Sequence, residues 1–155
     1  MTGLPVQKAQ YLKIAVRGVV SLGAILLSAL PGCSGFGTAS MVTQISVDAL
    51  RDSLTTNPGL LLVDVRTPEE WQAVRVQGIK KFIEHTEIAE RKADLPADST
   101  TPIYLICRSG HRSMLAGEAL AKLGYRRLFS VKGGTNAWIA AGFPVDSGRV
   151  AGMAP

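Results

Sequence analysis

Three apolar runs, each closed by a turn and then a helix-forming stretch, constrain this chain more than any other feature. They are "LLLVDVR" (Leu60 to Arg66), "PIYLIC" (Pro102 to Cys107) and "RRLFSV" (Arg126 to Val131). The first is apolar without interruption up to Asp64, so it reads as a strand buried on both faces, the mark of a parallel sheet. Helical patterns fill the intervals. "VDALRDSLTT" carries Val47, Leu50 and Leu54 on one face. Thr67 and Glu70 form a capping box with Pro68 at the first helical position. A helix is predicted from Arg112 to Leu123, with Leu115, Ala119, Leu120 and Leu123 inward and Gly124 as its stop. "GGTNAWIAAG" reads as a glycine turn leading into a last helix, with Trp138 in the core. Weaker signals predict an edge strand at Thr43, a short strand near Phe82, and a helix followed by a breaker over "AERKADLPAD". Strands alternating with helices imply an α/β fold, a parallel sheet with right-handed crossovers and helices on both faces. Ligands of such sheets sit outside the carboxyl ends of the strands. Asp64 to Arg66, Cys107 and Gly133 all follow such ends.

The chain has 155 residues, enough for one domain with a proper core and not for two. An apolar fraction of 46% rules out a disordered chain. The net charge of +5 is misleading: Lys8, Lys13 and Arg17 lie in the first 32 residues, which hold no acid. What remains is 14 basic against 12 acidic residues, or +2, with no basic cluster interleaved with aromatics. No nucleic-acid partner is expected.

Those first 32 residues read as a signal. A basic stretch ends at Arg17, and "GVVSLGAILLSAL" (Gly18 to Leu30) follows without a charge, a length that suits a signal-peptide core and is short for a spanning helix. "LPGCSG" (Leu30 to Gly35) resembles a bacterial lipobox, with Pro31 as a departure. The resemblance implies cleavage before Cys33 and lipid attachment to its thiol, hence a membrane-anchored protein facing the periplasm or cell exterior. An uncleaved anchor helix and an ordinary secretory signal are the alternatives. The expected organisation is a signal at 1–32, a flexible tether at 33–42 around "SGFGTAS", a folded domain at 43–148 and a tail at 149–155.

Cys33 and Cys107 are the only cysteines, so lipidation of the first leaves Cys107 without an intrachain partner, a leftover thiol of the kind that is often reactive. His85 and His111 are the only histidines, and no metal-ligand spacing exists. After Cys107 comes "RSGHR", Arg108 to Arg112, before a helix. Gly110 lets the backbone turn. Successive amides of such a loop form an anion-binding nest, and the helix start adds free N–H groups and the positive end of its dipole. With Arg108 and Arg112 beside it, the sulfur is expected to be held as a nucleophilic thiolate. The competing reading is a small buried apolar residue. His111 is left open between orienting substrate, donating a hydrogen bond and facing solvent.

"CRSGHRS" (Cys107 to Ser113) resembles the active-site loop of the rhodanese family of sulfurtransferases. "LLVDVRTPEEW" (Leu61 to Trp71) is similar to that family's first signature, and "VKGGTNAWIAAGFPV" (Val131 to Val145) to its closing one. The resemblance covers about Gln44 to Asp146, in order, and implies a five-stranded parallel sheet with helices on both faces. One segment departs: the family's Gly-His-Ile and Pro-Gly are replaced by "VQGIKKFIEHTEI" (Val76 to Ile88), which predicts an altered loop rather than a lost activity.

The resemblance implies sulfur transfer without a cofactor. Cys107 would take the outer sulfur of thiosulfate or a similar donor as a persulfide and pass it to cyanide or a thiol. The amides of Arg108, Ser109, Gly110, His111 and Arg112 would cradle the terminal sulfur, and the two arginines would hold the donor's anionic oxygens. Asp64 and Arg66 read as structural, Asp64 bonding loop amides and Arg66 pairing with Glu69 or Glu70. Lys132 either adds to a positive mouth or faces water. Gly133 and Gly134 would permit close backbone approach. A small sulfur-containing anion and a thiol acceptor are the expected partners of a monomer. Two rivals remain. Phosphatases of a related fold place five residues between cysteine and arginine, where this chain places four, a smaller cradle. A dedicated persulfide carrier delivering sulfur to one protein would have the same loop.

Overall fold

The computed structural model describes residues 41–148. The signal, Cys33, most of the tether and the whole tail lie outside them. The elements run β1 (Val42–Ile45), α1 (Val47–Thr56), β2 (Leu61–Asp64), α2 (Pro68–Ala73), β3 (Arg75–Val76), β4 (Lys81–Phe82), a 3-10 turn (Lys92–Asp94), β5 (Ile103–Ile106), α3 (His111–Lys122), β6 (Leu128–Val131), α4 (Gly134–Ala140) and β7 (Val145–Asp146).

Five strands form one parallel sheet in the order β1-β6-β5-β2-β4. The predicted strands at Thr43 and Phe82 are its two edges. The buried runs β2 and β5 lie side by side in its middle, with Val63 opposite Leu105 and Asp64 opposite Ile106. Alternate side chains go to opposite layers. Val63, Ile103, Leu105, Cys107 and Leu128 pack with Ala116 and Leu120 of α3 on one face. Leu62, Ile106 and Val131 pack on the other with Val47 and Leu50 of α1, Trp71 of α2 and Trp138 of α4. The sheet is thus covered on both faces, which is why its strands read as apolar runs.

The capping box of α2 forms as its sequence predicts. Glu70 N–H donates to Thr67 Oγ1 at 3.4 Å, and Thr67 N–H to Glu70 Oε2 at 3.2 Å.

Three expectations are corrected. In α3, Leu115 is 45% and Leu123 37% exposed; the inward face is Ser113, Ala116, Gly117 and Leu120. The cause is close approach: a Cβ on Gly117 would stand 2.7–2.8 Å from the methyl groups of Val42. A helix seated that near a sheet turns its smallest residues inward and its leucines to the flanks. "AERKADLPAD" forms turns and a single 3-10 turn, not an α-helix, because only Leu95 in it reaches the core. Arg66 pairs with Asp64 rather than with Glu69 or Glu70, since its side chain folds back over the end of its own strand.

The divergent segment after α2 also holds an unexpected ribbon. β3 pairs antiparallel with β7, Arg75 opposite Asp146 and Val76 opposite Val145. Gln77 N–H donates to Pro144 O at 3.1 Å and Gly78 N–H to Asp146 Oδ2 at 3.0 Å.

Candidate active site

The carboxyl ends of β2, β5 and β6 meet at one edge of the sheet, and the chain leaves each in a tight loop. Cys107 follows β5 and is fully buried. Gly110 closes the loop at a φ of 100°, a left-handed conformation open to glycine at little cost. There its N–H donates to Cys107 Sγ at 3.1 Å. Among the described residues, the N–H groups of Arg108 and Ser109 have no protein acceptor. Those of His111 and Arg112 open α3, where a helix has no internal partner to offer them. The first turn closes with Met114 N–H on Gly110 O at 3.3 Å.

The loop is held from behind by the segment after β6. Thr135 N–H donates to Cys107 O at 2.8 Å and Asn136 N–H to Arg108 O at 3.1 Å. In a trans peptide the C=O and the following N–H point in opposite directions. Anchoring those two carbonyls to α4 therefore turns the N–H groups of Arg108 and Ser109 away from it. The contact is so close that a Cβ on Gly134 would collide with Cys107 O and stand 2.7 Å from Arg108 O. Gly134 itself has a φ of 57°. The close approach read from the glycine pair is real, and Gly134 carries it.

Arg66 ties the loop after β2 to the same assembly. Its guanidinium grips Asp64 with Nε and Nη2, at 2.7 Å for the closest contact, and reaches Val74 O at 2.6 Å and Thr135 Oγ1 at 3.4 Å. Both partners of this pair are buried. Burial pushes the Asp64 carboxyl above its ordinary range, and the Arg66 fork works against that rise.

Arg112, read from sequence as a ligand for the donor's oxygens, is committed elsewhere. Its two terminal nitrogens meet the two oxygens of Glu70 at 2.7 and 2.8 Å, a fork-to-fork pair linking α3 to the start of α2. The Arg112 bond holds the Glu70 carboxyl down to about 2, with Thr67 N–H helping against partial burial; Glu70 in turn raises Arg112. Arg108, Ser109, His111 and Lys132 are exposed around the mouth, and no ion pair reaches Arg108 or Lys132 among the described residues.

Sequence reasoning passed over Ser113, Ser130 and Thr135. Ser113 and Ser130 are buried beneath Cys107, their hydroxyls 2.7 Å apart. The available signal was Ser130, a polar residue on the apolar beat of β6, two places after buried Leu128. A surface hollow of about 510 Å3 bordered by Leu61, Tyr104 and Arg127 opens at the opposite end of the strands and holds none of these residues.

This arrangement can hold an anionic sulfur at Cys107 and a second atom beyond it, amid amide donors. Comparisons agree with the geometry. Residues 46–141 match the family model described as a rhodanese-like domain. A sulfurtransferase of Allochromatium vinosum is 35% identical over 105 residues, covering 68% of this chain and 95% of that protein. The Bacillus subtilis protein YrkF, provisionally named a sulfur carrier, is 30% identical over 100 residues, 64% of this chain but only 52% of that protein. The crystal structure of a rhodanese-related protein from Thermoplasma volcanium matches with a TM-score of 0.58 at 29% identity, covering 67% of this chain and 97% of that one. By the matched span, the parallel sheet and the loop at Cys107, the chain belongs to the rhodanese-like family.

Proposed function

We propose that this protein is a sulfurtransferase that moves a sulfane sulfur from thiosulfate, or a donor like it, to cyanide or a thiol through a persulfide on Cys107. The observation that carries the reading is the Gly110 N–H on Cys107 Sγ, within a loop whose neighbouring amides are unclaimed. The Cys107 thiolate attacks the outer sulfur of thiosulfate. The donor's S–S bond breaks and sulfite leaves with the electron pair. The new terminal sulfur carries the negative charge, and the amides of the loop receive it. Cyanide then attacks that sulfur, thiocyanate departs and the thiolate returns. Exposed Arg108 and Lys132 attract the anionic donor, while Arg112 fixes the loop through Glu70.

The same pairing weighs against phosphoryl transfer, because the guanidinium that would clasp phosphoryl oxygens is bidentate to Glu70. The carrier reading draws on the similarity to YrkF. Mass spectrometry after thiosulfate exposure is expected to show one added sulfur on Cys107, and steady-state assay to show thiocyanate formation. Loading without thiocyanate would identify a carrier; no added sulfur would reject both. On the sequence of residues 1–33 we further propose export and lipid anchoring at Cys33, which labelling with radioactive palmitate should reveal and Cys33→Ala should abolish.

A further inference from the structure

Beneath Cys107 the protein has buried two hydroxyls where apolar side chains would have packed. Ser113 Oγ lies 3.6 Å from Cys107 Sγ, 2.9 Å from Gly110 O and 2.7 Å from Ser130 Oγ, and Ser130 Oγ lies 3.5 Å from Gly110 O. Both serines are at most 1% exposed. Polar groups in such a place are retained only with their hydrogen bonds made. Counting protons shows more than one way of making them.

Gly110 O has two lone pairs, and Met114 N–H takes one. The other is left for a single serine hydroxyl. With Cys107 as a thiol, its S–H points to Ser113 Oγ, Ser113 donates to Gly110 O, and Ser130 donates to Ser113. When the sulfur loses its proton, Ser113 Oγ loses a donor and the sulfur becomes an acceptor. Rotation about one Cβ–Oγ bond then aims the Ser113 proton at Sγ, while Ser130, 2.7 Å away, keeps its proton on Ser113 Oγ and Gly110 O keeps the Met114 N–H. No heavy atom has to move.

We propose that Ser113 is a two-position hydroxyl switch: it donates to Cys107 Sγ when that sulfur is anionic and returns to Gly110 O when it is not, with Ser130 donating to Ser113 Oγ in both positions. Ser113 touches the reacting sulfur; Ser130 acts through it as a positioning residue. The consequence for turnover rests on the sulfur-transfer reading. In the persulfide the charge sits on the terminal sulfur, so Sγ no longer needs a donor. When cyanide takes the terminal sulfur, Sγ leaves as an anion and the Ser113 proton meets it. The switch therefore assists discharge, where Sγ is the leaving group. It does not assist loading by a thiolate already formed, where the same bond has to be weakened.

Other charges surround the loop: Arg108, His111 and Arg112 with Glu70; Lys132 after β6; the Asp64–Arg66 pair after β2; and His85, whose backbone N–H bonds Val65 O. All are retained in serine variants, so a change there reports the hydroxyls.

The test uses the full chain with Ser113→Ala, Ser130→Ala and Ser113→Thr, and has two arms. In the first, the pH profile of iodoacetamide alkylation at Cys107 is expected to move to higher pH in Ser113→Ala by about one unit, a tenfold loss of reactivity below the midpoint. Ser130→Ala should move it the same way by less, and Ser113→Thr should restore it. At pH values where both proteins are ionised, alkylation should be no slower in Ser113→Ala, since a damaged loop would slow it everywhere. In the second arm, single-turnover rates at such a pH are expected to show discharge to cyanide slowed about tenfold while loading by thiosulfate is not slowed. An unmoved alkylation profile, or equal slowing of both half-reactions, overturns the switch. A moved profile in a protein that never gains sulfur would support hydroxyl donation and strike the sulfur-transfer reading instead.

Discussion

Replacing Cys107 by serine removes the sulfur and leaves a side chain of similar shape that still accepts from Gly110 N–H. Turnover is expected to vanish while the thermal midpoint moves by no more than about 5 °C; thiocyanate formation by the variant would reject the persulfide route. Gly134→Ala attacks the same site from the backbone. Its methyl would collide with Cys107 O at a φ of 57°, so about 3 kcal/mol of stability should go, read by urea unfolding. At this scale the sequence was informative where chemistry is local. A thiol closing a buried run, and a glycine pair after the next, are visible without coordinates. Ser113 and Ser130 were not, because a serine gives the same one-letter signal whether it faces water or lies under a sulfur atom.

The elements were legible where their ends carry their own instructions, as in the capping box of α2. They were less so where a neighbour decides. The face of α3 follows from how near β1 lies, which leucine periodicity does not encode. The partner of Arg112 depends on where α2 ends up. That pairing has a measurable acid signature. A carboxyl held at about 2, against an ordinary value near 4.5, contributes stability that is fully present above pH 4.5 and fades as the pH falls towards 2. Glu70→Gln is expected to cost about 1–2 kcal/mol at pH 7, allowing for partial exposure, with the variant and native unfolding curves converging on acidification. A gap that stays constant down to pH 2 would deny the ion pair this role. The same variant frees Arg112, so the KM for thiosulfate should change more than the KM for cyanide.

For the whole molecule, alternation of strand and helix was enough to give a parallel α/β sheet, and the resemblance supplied the number of strands. The order β1-β6-β5-β2-β4 rests on contacts between residues far apart in sequence. The β3–β7 ribbon was missed because two-residue strands carry no periodicity. Arg66 serves the assembly more than the chemistry: it joins Asp64, Val74 and Thr135, parts of three separate chain segments. Removing one partner of a buried pair strands the other, so Arg66→Met is expected to lose about 3–5 kcal/mol in chemical denaturation. Replacing both, as Asp64→Leu with Arg66→Met, should recover much of that loss.

The bonds from Thr135 and Asn136 to the carbonyls of Cys107 and Arg108 have a practical corollary for protein engineering. The hexapeptide from Cys107 to Arg112 does not carry its own polarity; a distant stretch of chain sets it. Grafted alone onto a foreign scaffold, it could rotate its peptide planes and present oxygen where nitrogen is wanted. The smallest portable unit is the hexapeptide together with residues 133–136, held at their native separation.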